Sequence, residues 1–473
     1  MKHGLRVIAI VAFLVCAHGV QAGRGSQLPS SPTFNGEVAR ILYTRCAGCH
    51  RPGEAAPMSL LSYDAARPWA RAIKARVQAR EMPPWPADAT TAAFANELRL
   101  SDAEIDVLSR WVDAGAPQGD GAPPAPPTFV DGWSSRMNRP PDLVIDAPVF
   151  DLPASGSIPE FKVWTAQRVG KNRFIEAIEL RPTNRAVVHH ASVFRATLPR
   201  GAKIGTAPLW AGGPALTGVP VRGDGTPVPE AQLPSFGTPL VFYVPAGGFL
   251  RFPKGVVKRV RADDYLQWTF HLVTTGKAER ASARLGIWLS RAEPEQEVVT
   301  WTVTDQLSVN GREVGRDVRG PLFPNIAPRD PEYTVVGSMR ITEPITLYAL
   351  WPHMHYRGRD ITFTLQDAKG KEQVLLAVPR YRFGWQFTYE LAKPLKISAG
   401  STIRVVAHFD NSTRNTENPD PNQEVVWGPQ ADNEMFDPFL ELSRDRRPLR
   451  ADCDTQPRAR EGDTSAGFLT PCP

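Results

Sequence analysis

Thirteen residues, Gly115 to Pro127, hold five prolines and three glycines. No helix interior or central strand tolerates such a run, because proline removes a backbone donor and glycine weakens both elements. The segment therefore separates two stretches that fold by different rules. Before it, apolar residues recur at helical spacing. Val38, Ile41 and Leu42 lead into Cys46, and Trp69, Ile73 and Val77 share one face of residues 67–80. Ser101 and Glu104 form a capping box ahead of Ile105, Leu108 and Val112, and Gly115 closes that helix. After residue 140 the period becomes two. Leu266, Trp268, Phe270 and Leu272 alternate with Tyr265, Gln267, Thr269 and His271. Ile345, Leu347, Ala349 and Trp351 alternate with Thr346 and Tyr348, and the same pattern runs through 361–365 and 403–409. Forty-six prolines in the chain also favour short strands and turns over long helices.

These patterns predict a helical segment over 31–117, a semi-rigid linker over 118–142, and two β-sandwiches over 143–300 and 301–450. More than one core is needed because over 300 strand-patterned residues exceed what one core holds comfortably. A polar tail, 451–473, follows. Residues 1–22 read as an export signal: Lys2 and Arg6, an apolar run from Val7 to Ala17, then Val20-Gln21-Ala22. Val15 stands before Cys16 where a lipoprotein signal has a small residue. That run is too short to span a bilayer, and no later stretch is long and apolar enough. The expectation is an exported, periplasmic protein without a transmembrane segment. Loss of Lys2 and Arg6 lowers the formal charge from +6 to +4, too mild for a nucleic-acid partner. Cys453 and Cys472 are expected to pair as a disulfide in an oxidising compartment.

Cys46-Ala47-Gly48-Cys49-His50 is the attachment pattern of a c-type haem. Two thiols at this spacing suit two thioethers, and His50 then lies beneath the iron as axial ligand. One covalent haem c and a small cytochrome c domain over 31–117 follow. The sixth ligand is assigned to Met82, in the stiff Met82-Pro83-Pro84-Trp85 loop, with Met58 as its rival.

The remaining histidines also cluster. His353 and His355 lie two apart on a predicted strand, so they share a face. Met435 adds a thioether, and a His, His, Met set suits copper, Cu(I) above all. His189 and His190 are adjacent, so both reach one metal only from a bulged strand or from different sides. His271 is the third candidate there, and three imidazoles suit copper or zinc equally. His408 fits neither set and reads as a surface or supporting histidine. No cysteine occurs between 50 and 452, which excludes blue-copper and multicopper oxidase sites.

The order His-His, His, His-x-His, Met resembles the copper type II ascorbate-dependent monooxygenases, the family of peptidylglycine α-hydroxylating and dopamine β-monooxygenases, over roughly 143–445. The resemblance implies two tandem jelly-roll-like sandwiches, each with one copper across a solvent-filled cleft. It implies an electron-transfer copper on His189, His190 and His271 and an oxygen-binding copper on His353, His355 and Met435. The family's many disulfide cysteines are absent from this stretch, and no substrate contact carries over. The expected fold is thus a small all-α cytochrome c domain followed by two all-β jelly-roll-like sandwiches. The expected function is a monooxygenase that hydroxylates a small organic substrate with O2, using an electron donor to the haem. The rival readings are a periplasmic electron-transfer or copper-binding protein and a haem–copper reductase.

Overall fold

The structure is a computed structural model. It describes Met1 and residues 31–445, except 53, 55, 57, 89–90, 130–132, 134–135, 157, 167–168, 209–214, 230–231, 234–236, 246, 316–324 and 429. The export signal, Cys16, and the Cys453 and Cys472 pair lie outside the described residues. No helix among the described residues is long and apolar enough to cross a membrane.

The chain is mostly β, and four principal sheets carry it. In the first unit a six-stranded sheet runs in the order Leu143–Asp146, Ala283–Leu289, Arg173–Pro182, Val256–Val260, Gln296–Glu297, with Phe249–Arg251 paired to Arg173–Pro182. Its companion has four strands: Phe161–Trp164, Tyr265–Leu272, Val188–Ala196, Thr238–Tyr243. Trp268, Phe270, Leu266 and Ile178 fill the space between them. The second unit repeats the imbalance. Four strands, Val299–Thr302, Asp437–Arg444, Ile345–His353 and Tyr389–Ile397, form one sheet. Six form the other, including Tyr333–Arg340, Thr402–Phe409 and Gly358–Gln366. Ile361, Phe363, Val405 and Leu440 lie in that core.

The expected architecture, an all-α cytochrome c domain followed by jelly-roll sandwiches, is corrected on two counts. Among the described residues helix is confined to short pieces: the α-helices Ala39–Arg45, Tyr63–Ala66, Ala70–Gln78 and Asp102–Asp113, with a π turn at Phe34–Val38 and a 3-10 turn at Arg67–Trp69. They enclose a small core of Phe34, Leu42, Leu108 and Trp111, but the segment is not self-contained. Trp85, Ala87 and Phe94 are buried in the core of the second β unit. Phe94 bridges Leu391, and Ala95 N–H donates to the Glu390 carbonyl at 2.7 Å. Helical periodicity flanks this stretch on both sides, and nothing in local pattern reveals that it serves a distant sheet. Secondly, each β unit pairs a six-stranded sheet with a four-stranded one. Alternation within strands reports burial of one face, not strand order, so it could not give this pairing.

The linker is also pinned. Asn35 Nδ2 donates to the Gly119 and Gly121 carbonyls at 3.0 and 2.6 Å. Trp133 sits edge-on to Trp288, ring centres 5.9 Å apart, and Arg136 makes a two-pronged ion pair with Glu390 at 2.6–2.7 Å. The boundary between the β units falls before Val299, since Val299–Thr302 pairs with Asp437–Arg444.

The two four-stranded sheets meet. Phe242 of Thr238–Tyr243 stacks on Trp351 of Ile345–His353, and Trp351 stacks on Phe439 at 4.7 Å. Lys258 Nζ of the first unit reaches Glu441 Oε1 of the second at 2.8 Å, with both side chains nearly fully buried. This contact positions the site, because every strand that carries a metal-candidate histidine belongs to one of these two sheets.

Candidate metal centre

His189 and His190 lie at the start of Val188–Ala196, and His271 lies near the end of Tyr265–Leu272. The strands are antiparallel. His271 pairs with His190, yet Leu272 pairs with Val188, which leaves His189 as an extra residue in a bulge. A bulge breaks strict alternation and lets neighbouring side chains turn to one side. The ring centres of His189 and His190 are accordingly 5.0 Å apart, and His190 and His271 are 4.6 Å apart. One nitrogen from each of His189, His190 and His271 falls within 4.8 Å of the others. His271 Nδ1 faces His190 Nε2 at 3.3 Å.

The second set is built differently from the sequence expectation. A register shift between Leu347 and Ala349 reverses the alternation of Ile345–His353. Ile345, Leu347 and Leu350 enter the core, while Trp351 and His353 face the first unit, their rings stacked at 5.2 Å. The strand ends at His353. His355 therefore does not share a face by strand alternation. It is held by Glu434, which accepts from the backbone N–H groups of His355, of Arg357 at 3.0 Å and of Met435 at 2.9 Å. The result still places the His353 and His355 rings 5.1 Å apart. Met435 is buried on the same Glu434 anchor, and Met354, between the two histidines, points into the core. Glu434 directly precedes Met435 in the chain, and its work as a backbone clamp leaves no pattern in the sequence.

The two sets converge. The segment between strands Glu372–Val378 and Tyr389–Ile397 brings Phe383 against both. Phe383 lies 5.8 Å from His189, 4.7 Å from His190, 5.8 Å from His271 and 5.3 Å from His355, between ring centres. Four of the five candidate histidines, His189, His190, His271 and His355, thus meet one phenyl ring. No sequence motif marked Phe383 or Gln386, which contacts His353. His408 stands apart, its Nδ1 2.6 Å from Asp360 Oδ1.

The electrostatics favour neutral imidazoles. Burial holds His271 and His353 down to about 4, and His355 and His190 well below the usual histidine range. For His190 the surrounding His189, His271, His353 and His355 push the same way after burial. A neutral ring keeps a lone pair for a metal. The Nδ1 atoms of His189 and His190 are buried without a hydrogen-bond partner, an arrangement that a ligated metal would relieve. Three imidazoles are a donor set that fits copper, as is a pair of imidazoles with a thioether. These shifts predict an acid-labile apo-protein. The unfolded chain takes up protons near pH 6.5, whereas folded His271 and His353 resist until about 4. Stability is therefore full above about 6.5 and falls between about 6.5 and about 4, at no more than about 1.4 kcal/mol per histidine per pH unit. Urea midpoints of metal-free protein across that range check this. A flat profile would show that the rings are hydrated.

The Cys46-x-x-Cys49-His50 loop follows helix Ala39–Arg45. His50 N–H donates to the Cys46 carbonyl at 2.9 Å. Both thiols are free. Burial pushes Cys46 up to about 12 and raises Cys49 against the opposing Arg185 and Arg51. Burial lowers His50, and a backbone hydrogen bond at Met58 opposes that shift. Two free thiols beside a buried imidazole fit haem attachment. Met58 and Cys46 both pack against the small helical core, whereas Met82 is exposed beyond helix Ala70–Gln78. The Met58 backbone also hydrogen-bonds to His50. Glu54, nearly fully buried, joins Arg51 at 2.6 Å, Arg181 at 3.0 Å and Arg185. Arg181 lies on Arg173–Pro182 and Arg185 four residues before His189, so the loop docks on the first β unit beside the first histidine set.

No family model matches this chain, and no curated protein matches it. Among solved structures it is similar to PNGF-II (11% identity, 65% of this chain and 66% of that one, TM-score 0.22). It is also similar to the infectious bursal disease virus VP2 subviral particle (9%, 65% and 74%, TM-score 0.17). A third similarity is to the tandem CBM22 domains of Paenibacillus barcinonensis Xyn10C (9%, 63% and 83%, TM-score 0.15). The chain spans 66% of the length of PNGF-II, just under two thirds.

Proposed function

We propose that this chain is an exported, periplasmic haem- and copper-containing monooxygenase, akin to the copper type II monooxygenases. It hydroxylates a C–H bond of a small organic substrate. The balance is R–H, O2, two electrons and two protons giving R–OH and water, with the electrons drawn from a donor through a c-type haem. The observation that carries the reading is the convergence of His189, His190 and His271 within 4.8 Å, together with a second imidazole pair, His353 and His355, whose ring centres are 5.1 Å apart. Simple copper storage has no use for two donor sets of different softness.

Cys46 and Cys49 would hold the haem and His50 would ligate it. His189, His190 and His271 would hold one copper, and His353, His355 and Met435 the other. Bound copper supplies O2 chemistry and one-electron steps. The chain's own residues do the rest. Asn433 O sits 3.2 Å from His355 Nδ1, which leaves Nε2 for a ligand. Glu434 fixes the backbone on either side of the second set. Stacking of Trp351 on His353 and Phe242 excludes water from behind the ring.

Protein matured in a periplasm should carry one haem that survives denaturation and acid–acetone extraction. The apo-copper form should saturate near two copper equivalents. O2 uptake should match hydroxylated product one to one. Saturation at zero or one copper would remove the monooxygenase reading, and O2 consumption without product would favour a haem–copper reductase.

A further inference from the structure

The segment 379–388 belongs to the second β unit, yet it touches ligand candidates of both sets. Gln386 is the better defined of its two contacts. Its side-chain Nε2 donates to the Phe383 carbonyl at 2.8 Å, and its main-chain carbonyl accepts from Trp351 Nε1 at 3.0 Å. The amide is thus oriented, and its Oε1 is the atom that meets His353 Nδ1. An amide oxygen only accepts, so the proton sits on Nδ1 and His353 presents a bare Nε2. Such a partner fixes both tautomer and ring direction.

Phe383 is held by the same carbonyl tie and by Tyr356, whose ring centre is 4.6 Å away. Its distances to His190 and His355 bound the separation of those two imidazole centres at about 10 Å. Next in the chain, a Cβ at Gly384 would stand 3.5 Å from His189 Nε2, so the backbone itself comes up to the first set. A phenyl ring offers no lone pair to a metal. Placed between two donor sets it divides them without bridging, and it excludes water from the space it fills.

We propose that segment 379–388 makes the two histidine sets one composite centre: Gln386 positions His353 for its ligand, and Phe383 is a shared wall that keeps two closely spaced metals from sharing a ligand. This rests on the reading of the histidines as metal ligands. It goes beyond that reading by assigning two positioning residues and by making the wall common to both sets. Removal of Gln386 acts on one set. Removal of Phe383 acts on both, although the residue comes from only one β unit.

The test is Cu(II) titration of full-length, haem-loaded protein, followed by electron paramagnetic resonance. Gln386→Ala should weaken one of two copper equivalents by about 10- to 100-fold and shift one signal only. Gln386→Glu, which keeps an acceptor oxygen, should restore it. Phe383→Ala should alter both copper signals and introduce magnetic coupling between them. Phe383→Leu keeps an apolar wall, guards against misfolding of the alanine variant, and should perturb both signals less without coupling them. A Phe383→Ala protein with one or both signals unchanged, or Gln386→Ala disturbing both or neither, would overturn the proposal. If Phe383→Ala does not fold, unchanged signals in Phe383→Leu overturn it. Wild-type protein that takes up no copper would instead overturn the metal reading, and this inference with it.

Discussion

On the proposed function, Met435→His should retain copper at the second set yet lose most hydroxylation, by at least the roughly 100-fold upper range seen when a ligand's supporting contacts are removed. The thioether is the one soft donor there, and soft donors favour Cu(I), the state that binds O2. An imidazole keeps a ligand and removes the softness. The backbone at 435 is clamped by Glu434 together with that of His355 and Arg357, so the substitution changes the donor without freeing the loop. His271→Ala acts on the other set and should slow electron delivery. Single-turnover assays with both coppers reduced beforehand separate the two. Product should return in the His271 variant and not in the Met435 variant. Equal recovery in both would dissolve the division of labour even if both coppers are confirmed.

Lys258→Met destabilises the protein by about 3–5 kcal/mol, the usual cost of stranding one member of a buried ion pair. Lys258 Nζ contacts Glu441 Oε1 at 2.8 Å, Thr300 Oγ1 at 3.0 Å and the Leu240 carbonyl at 3.4 Å. Burial pushes its pKa down while Glu441 opposes that. With the ammonium gone, the Glu441 carboxylate keeps only the Thr300 hydroxyl, at 3.0 Å. Lys258→Met with Glu441→Leu removes both charges and should recover most of the loss, since apolar replacement of a whole buried pair is often neutral. Urea denaturation of the single and double variants measures this. The pair joins Val256–Val260 to Asp437–Arg444, across the contact that apposes the two histidine sets. The single variant should therefore also weaken copper uptake. A single variant with unchanged stability would show that water reaches the pair.

The candidate donors are legible in the sequence because metal and haem binding constrain residue type and spacing locally. Cys46, Cys49 and His50 lie within five consecutive residues, so one turn brings them together. His189 and His190 are adjacent, so a bulge was one of two geometries open to them. Alternation likewise marked Trp268, Phe270 and Leu266 as a buried face, and the capping box Ser101/Glu104 marked the start of Asp102–Asp113.

What lay beyond the sequence depends on contacts between residues far apart in the chain. The choice between Met58 and Met82 turns on which one packs near Cys46, a matter of loop path and not of motif. His355 reached His353 by a carboxylate 79 positions later, not by strand period, and the bulge at Leu347 moved Trp351 to the opposite face. The jelly-roll expectation failed because ligand order constrains neither strand order nor sheet size. Phe94 left its helical neighbours for the core of a sheet nearly 300 residues on. By itself the sequence determined which donors exist and that the chain changes from helix to strand after Gly115. Only the tertiary structure decided that the donors share one wall, because Phe383 and Gln386 act through shape and orientation, and neither leaves a periodic or compositional trace.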